Sequence, residues 1–200
     1  MESKRARPTE YELEVLQGSF AAPRGECELV VNGEHFQRIV KQGLMRASIS
    51  LDIMTADFKA MLVPKGRGRT AESIVRVFRR LAERGVEIRI MHAGTPSSAA
   101  LQELKRELPS NLTIRRCPRL HAKAVVVDAR WMYLGSANLT GAGLGAKSDG
   151  RRNFEMGLVT ESDALIESVL HQFNQLWEGG ECKTCRRKDV CPVPLEEPCL

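Results

Sequence analysis

The stretch LHAKAVVVDARWMYLGSANLT, residues 120–140, combines two apolar runs with a regular set of polar residues. The runs AKAVVVD and WMYLG have the length and the β-branched or aromatic content of buried strands. Positions two apart on a strand point to the same face, so His121 and Lys123 would project together. Ser136 and Asn138 stand on the turn just after the second strand, where they could donate hydrogen bonds to the same point. We therefore expect one site built from both strands.

These residue types suit chemistry at phosphorus. A histidine serves as a nucleophile or an acid–base group near neutral pH, since its reference pKa is about 6.5. A cation and neutral donors beside that histidine would hold the negative charge that develops while a phosphodiester is attacked. The sequence contains no carboxylate cluster or histidine-rich group that predicts a catalytic metal.

Around this stretch, apolar periodicity predicts strands that alternate with helices, and hence an α/β domain whose sheet is covered on both faces. The predicted strands are 27–32, 47–53, 86–91, 112–116, 122–128, 131–135 and 153–160. The predicted helices are 33–45, 70–85, 97–108 and 163–180, with Thr70 as the cap and Glu72 in the first turn of the second helix. We expect an N-terminal tail over 1–25, a catalytic domain over 26–180 and a Cys-rich tail over 181–200.

Charge and composition narrow the partners and the compartment. The formal net charge is +5 and the isoelectric point is about 9.0, which favours anionic partners such as nucleic acid or acidic lipid. The first residues lack the apolar segment of a secretory signal, and no apolar run has the length that spans a bilayer. A cytoplasmic location is therefore expected, where cysteines are reduced, metal-bound or buried rather than disulfide-paired.

The polar residues of the opening stretch match a known signature. His121-x-Lys123, four residues, Asp128, six residues and Gly135-Ser136-x-Asn138 resemble the HxK(x4)D(x6)GSxN pattern of the phospholipase D superfamily. RRNFEMG, residues 151–157, is similar to the downstream Asn-x-Glu of that family. The resemblance covers roughly residues 25–178. It implies a phospholipase D-like α/β/α sandwich with a mixed central sheet.

The resemblance also implies roles for these residues. His121 would attack phosphorus and form a phosphohistidine, and a second histidine would protonate the leaving oxygen and then activate water. Lys123 and Asn138 would bind the phosphoryl oxygens with support from Ser136. Glu155 would orient His121, while Asp128, a minor catalytic candidate, is usually structural in this family.

The chain carries this motif once, whereas the enzymes of the family complete their site with two copies. His35, His92 and His171 have no lysine two residues later. Small single-motif relatives pair two chains, each of which supplies one histidine. The resemblance therefore implies a homodimer with one shared active site.

Four cysteines close together in the C-terminal tail predict a metal site. They are Cys182, Cys185, Cys191 and Cys199. Their spacing resembles the [4Fe–4S] loop of endonuclease III-type DNA glycosylases. In those enzymes the fourth cysteine lies upstream of the other three, whereas Cys199 lies downstream of them. A zinc ion is therefore an alternative to the cluster. Cys117 or Cys27 could replace Cys199, although both are interpreted as small buried apolar residues.

Basic residues around the expected site favour a nucleic-acid substrate. They are Arg67, Arg69, Lys147, Arg151 and Arg152. We predict a metal-independent nuclease that cuts DNA or RNA. The alternatives are a phospholipase or phosphatidyl transferase with the same chemistry, and a non-catalytic nucleic-acid-binding module.

Overall fold

Nine strands and three helices make up the described part of the protein. The computed structural model describes residues 27–64, 70–104 and 108–191. The strands are β1 (Cys27–Val31), β2 (Ser50–Thr55), β3 (Leu62–Pro64), β4 (Ala71–Ser73), β5 (Glu87–His92), β6 (Leu112–Arg116), β7 (Ala124–Val127), β8 (Trp131–Gly135) and β9 (Met156–Thr160). The helices are α1 (Ile74–Ala82), α2 (Ser98–Leu104) and α3 (Asp163–Trp177), with a π-helical turn at Phe36–Lys41 and 3-10 turns at Leu44–Arg46 and Asp149–Arg151.

Seven strands form one mixed sheet in the order β1-β9-β8-β7-β2-β5-β6. The pairs β2–β5 and β5–β6 are parallel, and the remaining neighbours are antiparallel. The expected mixed central sheet is thereby confirmed. Strands β3 and β4 form a separate two-stranded sheet.

Alternating residues of the sheet build a core on each face. Ile53 of β2 and Ile90 of β5 belong to the larger core, to which α1 contributes its apolar residues. Met54 and Met91, one position further along the same strands, pack instead with Phe173 of α3. Because successive strand residues point to opposite faces, the nearly continuous apolar strands require helices on both sides.

Two arginines hold the end of α3 against the sheet. Arg89 bridges to Asp52 at 2.6 Å and lies over the rings of Phe173 and Trp177, at 4.7 and 5.6 Å from their centroids. Arg115 donates to the Trp177 carbonyl at 2.7 Å, which satisfies an acceptor at the helix terminus. Gly179, with φ of 78°, then turns the chain out of the helix. The helix predicted to reach residue 180 therefore ends at Trp177.

The start of α1 differs from its sequence prediction. Residues 71–73 pair with β3 as a strand, and the helix begins at Ile74 with the Ser73 side chain accepting from the Arg76 amide. Glu72 is buried and bonds Arg80 at 2.6 Å, outside the helix. The prediction of Thr70 as cap was wrong because a strand pairing, invisible to local periodicity, occupies the expected first turn. The predicted helix 33–45 is shorter as well, with only the π-helical and 3-10 turns given above.

The β7–β8 connection is a three-residue turn, 128–130, anchored by Asp128. Asp128 and Ala129 have φ of 53° and 52°, and Arg130 donates back to the Val127 carbonyl. The Asp128 carboxylate accepts bonds from the Ser48 hydroxyl and from the amides of residues 48–50, at 2.6–3.1 Å. Burial alone would raise the pKa of Asp128, but these hydrogen bonds outweigh burial and hold that pKa below its ordinary value. Asp128 therefore joins the hairpin to the start of β2.

We expect Asp128→Asn to lower the free energy of unfolding by about 1–2 kcal/mol at pH 7, since a charged acceptor is lost while the left-handed backbone stays tolerable. A carboxyl whose pKa is depressed in the folded state stabilises above its unfolded pKa, and this contribution disappears as pH falls through the folded value. The difference from wild type should therefore begin to narrow as pH falls below about 4. Urea unfolding at pH 7 and pH 3 measures this, with exposed Glu161→Gln as control. An unchanged gap at pH 3 would contradict the anchoring role.

Candidate active site

One edge of the sheet collects the residues of the motif. His121 and Lys123 directly precede β7, and Ser136 and Asn138 directly follow its antiparallel partner β8. The Gly135 amide donates to the Lys123 carbonyl at 3.1 Å, so the two segments lie side by side. Antiparallel pairing of β8 with β9 brings the residue before Met156 to the same edge. Asp128 ends β7 at the opposite edge, which separates it from this group.

His121 and Lys123 are in contact. The Lys123 Nζ donates to the His121 carbonyl at 2.8 Å and lies 3.2 Å from Nδ1 and 3.4 Å from Nε2 of the same ring. The His121 side chain is exposed and Lys123 is half-buried. An exposed imidazole with an ammonium beside it can reach a phosphorus while the cation holds a phosphoryl oxygen.

Asn138 is oriented by backbone amides. Its Oδ1 accepts from the amides of Ala56 and Asp57 at 3.1 and 3.0 Å, and lies 3.3 Å from the Thr55 hydroxyl. The Thr55 Oγ1 in turn accepts from the Leu139 amide at 2.9 Å. With the oxygen committed to these donors, the amide Nδ2 is the group left to donate to a ligand.

Ser136 and Glu155 form a second hydrogen-bonded pair. The Ser136 hydroxyl donates to Oε2 of Glu155, while Asn153 Nδ2 donates to Oε1 at 3.0 Å. The Met156 amide donates to the Ser136 oxygen at 3.1 Å, and Glu155 is only 7% exposed. In the described chain this carboxylate bonds Ser136 and Asn153 rather than His121, so its orienting role toward His121 stays a prediction.

A buried histidine and a tyrosine support the turn that carries Ser136 and Asn138. His35 Nδ1 lies 2.9 Å from the Asn32 carbonyl and Nε2 lies 2.9 Å from the Tyr133 hydroxyl, which accepts from the Ala137 amide at 3.2 Å. Burial lowers the pKa of His35 and raises the pKa of Tyr133 to about 12, so both stay neutral at pH 7. Nothing in the local sequence predicts this support, because the two residues stand 98 positions apart.

The glycine of the Gly-Ser-x-Asn segment is required by close packing. A Cβ at Gly135 would stand 2.4 Å from the Tyr133 hydroxyl and 2.6 Å from the Gly157 Cα. Gly157, its partner on β9, leaves no more room, since a Cβ there would meet the Tyr133 ring at 2.3 Å. Two facing glycines thus let Tyr133 lie flat under the site and reach Ala137.

The predicted substrate-binding cations divide into three groups. Lys147 and Arg151 are exposed on the segment after Asn138, which the Asn153 amide ties back to the Ala142 carbonyl at 3.1 Å. Arg152 instead pairs with Asp149. Arg67 and Arg69 lie outside the described residues.

The predicted metal ligands divide between described and undescribed parts of the chain. Cys182, Cys185 and Cys191 lie on the turns after α3, whereas Cys199 lies outside the described residues. The five described cysteines form no disulfide. None of the helices in the described ranges combines the length and the apolarity needed to cross a bilayer.

The chain is similar to known proteins both in sequence and in fold. The family model described as cardiolipin synthase, PLD-like domain, matches residues 40–177. Two solved structures share the fold: Nuc from Salmonella typhimurium, a phospholipase D family member (21% identity, TM-score 0.58), and NucT from Helicobacter pylori (17%, 0.57). Each match covers 76% of this chain, and 95% and 96% of the respective relative. No curated protein matches the sequence.

Proposed function

The chain belongs to the family of PLD-like domains, and from that premise we propose that it is a metal-independent nuclease that hydrolyses DNA or RNA through a phosphohistidine. One observation carries the proposal: His121, Lys123, Ser136 and Asn138 meet at one edge of the sheet, although the chain separates them by up to 17 positions. Members of this superfamily are phosphodiester hydrolases or transferases, so the chemistry follows from the family and the substrate is our inference.

Each residue has a defined part in the proposed reaction. An imidazole nitrogen of His121 forms a bond to phosphorus as the bond to the leaving oxygen breaks, and a second histidine gives that oxygen its proton. Water then loses a proton to the second histidine and attacks phosphorus, which releases His121 and the product phosphate ester. Lys123 and the Asn138 amide stabilise the negative charge on the phosphoryl oxygens. This interaction accelerates the reaction because it is stronger in the transition state than in the ground state.

Exposed cations favour a polyanion as substrate. Lys147 and Arg151 extend from the segment that follows Asn138, and a nucleic acid strand presents phosphates on both sides of the cleaved bond for such groups. The names of the structural relatives Nuc and NucT fit this choice.

A lipid phosphodiester is the second candidate, and specific observations favour it. The matching family is described as a cardiolipin synthase. In addition, Phe154 is 94% exposed and Met156 is 65% exposed on either side of Glu155, where they could contact acyl chains. Substrate assays therefore need a lipid as well as nucleic acids.

The second histidine is proposed to come from another copy of the chain. His35 and His92 are fully buried, and His171 is exposed on α3 outside the motif, so we assign the second histidine to none of them. A homodimer supplies the missing group from the partner's own His121.

An exposed apolar face of the described sheet supports this dimer. Leu29, Leu158 and Leu134 are in register across β1, β9 and β8, and they are 61%, 44% and 43% exposed. Helix α3 covers the neighbouring part of the same face, where Ile166 packs on Met132. We name the three leucines with Met156 the leucine face; it adjoins Ser136 and Glu155, and a second copy is its proposed occupant.

The test of the proposed function is cleavage of labelled single- and double-stranded DNA and RNA, and of a phosphatidyl lipid, in EDTA. We expect a nucleic acid to be cut at a rate that EDTA leaves unchanged, because no described step uses a metal. Turnover of the lipid and of no nucleic acid would show that the protein acts on lipid phosphodiesters instead. Nucleic-acid binding without turnover of any substrate would support the non-catalytic binding module instead.

A further inference from the structure

The turns after α3 return toward the strand end that leads to His121. The Cys182 amide donates to the Gly179 carbonyl at 2.9 Å, and the Cys185 amide donates to the Cys182 carbonyl at 3.2 Å. These turns hold the two thiols against the segment between β6 and β7. Cys182 and Cys185 there line a cavity of about 270 Å³ together with Cys117 and His121.

Four thiols gather at this place. Cys117, Cys182 and Cys185 line the same cavity, and Cys191 is a further electrostatic neighbour of Cys182. Cys117 is distant in sequence from the other three cysteines, since it directly follows β6. Thiolates so close together would repel one another, and a cation bound by all four would offset that repulsion.

The surroundings suit bound thiolates. The Arg187 amide donates to Cys185 Sγ at 3.5 Å, and the Arg119 guanidinium is a hydrogen-bond partner of the same thiol. Lys188 is a positively charged neighbour of both Cys182 and Cys185. Four thiolates around one divalent ion leave a net negative charge, which these cations offset.

The side chains have to rotate before they share one ion. In the described ranges, no group of three or more His, Cys, Asp or Glu side chains is arranged to hold a metal ion. Residues 178–191 contain no helix or strand, and the four cysteines are half-buried rather than locked in the core. Their thiols can therefore converge without breaking a helix or a strand, and metal binding supplies free energy for that ordering.

We propose that Cys117, Cys182, Cys185 and Cys191 bind one thiolate-coordinated metal centre, either a zinc ion or an iron–sulfur cluster. Cys117 takes the place that the sequence pattern assigned to Cys199. The centre fastens the C-terminal segment to the three-residue link between Cys117 and His121, and so holds the nucleophile in position. It takes no part in the phosphoryl chemistry itself, and the proposal does not depend on the substrate.

The experiment measures zinc, iron and acid-labile sulfide in full-length protein purified without oxygen. We expect wild type to carry either one zinc or an iron–sulfur cluster with its visible absorption band, which distinguishes the two metals. Cys117→Ser should lose at least about tenfold of the metal content or affinity, as Cys182→Ser and Cys185→Ser should. Cys199→Ser and Cys27→Ser are the matched controls and should retain full metal, since Cys27 is exposed at the start of β1.

Cobalt loading keeps the test decisive if a variant folds poorly. Co²⁺ bound to wild type should show the charge-transfer absorption of four thiolates, and Cys117→His should retain a tetrahedral spectrum shifted by one nitrogen ligand. Full metal content in Cys117→Ser with loss in Cys199→Ser would overturn the assignment of Cys117. Absence of stoichiometric metal from wild type, with no uptake of zinc, cobalt or iron and sulfide, would overturn the centre as a whole.

Discussion

His121→Ala should lower kcat by at least about 10⁴-fold, because removing a covalent nucleophile leaves only the contribution of the remaining site residues. The side chain is exposed and takes part in no described core cluster, so the free energy of unfolding should stay within about 0.5 kcal/mol of wild type. Binding of substrate should persist, since Lys123 and Asn138 remain in place. Single-turnover cleavage and equilibrium binding of the same labelled oligonucleotide measure both quantities.

The covalent step can be tested directly. A denaturing quench during turnover should leave phosphate label on wild-type protein and none on His121→Ala. His171→Ala is the matched control, because His171 is an exposed histidine on α3 that the proposed reaction does not use. A His121→Ala enzyme with more than a few per cent of wild-type activity would exclude His121 as the nucleophile.

The second large effect concerns the shared site. A heterodimer of one wild-type and one His121→Ala chain, isolated through two different affinity tags, should be as inactive as the doubly substituted dimer. The reason is that one proposed site needs both histidines, one as nucleophile and one as acid. Two independent sites would instead leave about half of the activity. Initial rates on the purified heterodimer separate the two models.

The leucine face offers an independent disruption of the same dimer. Leu158→Lys should raise the dimer Kd at least about 100-fold, since an unpaired ammonium inside an interface costs several kcal/mol. Activity should fall with dimer content and recover at high protein concentration. Leu165→Lys is the control, because Leu165 is similarly exposed but lies on α3. A fully active Leu158→Lys monomer would contradict both the dimer and the shared site.

Local pattern was sufficient for most of the secondary structure and for the motif. Apolar runs in 124–127 and 131–135 and the period of 163–177 identified elements that the structure contains. The spacing of His121, Lys123, Ser136 and Asn138 was enough to group them, because a hairpin of two adjacent strands brings their ends together whatever the rest of the chain does.

Tertiary structure decided what depends on distant partners. Asp128 belongs to the same sequence signature as His121, yet the strand between them carries it to the opposite edge, where it bonds residues 48–50. His35 and Tyr133 support the site across 98 positions. Periodicity reports which face a residue occupies within one element, whereas these contacts arise from how separate elements pack.

The cysteines show the same division. Spacing alone grouped the four C-terminal cysteines, since residues close in sequence are necessarily close in space. Only the packing of α3, fixed by Arg89 and Arg115 on Trp177, brings its end to Cys117. The sequence by itself determined the chemistry that the residues can carry, and the tertiary structure decided which of them meet, because that choice is made by long-range burial and pairing.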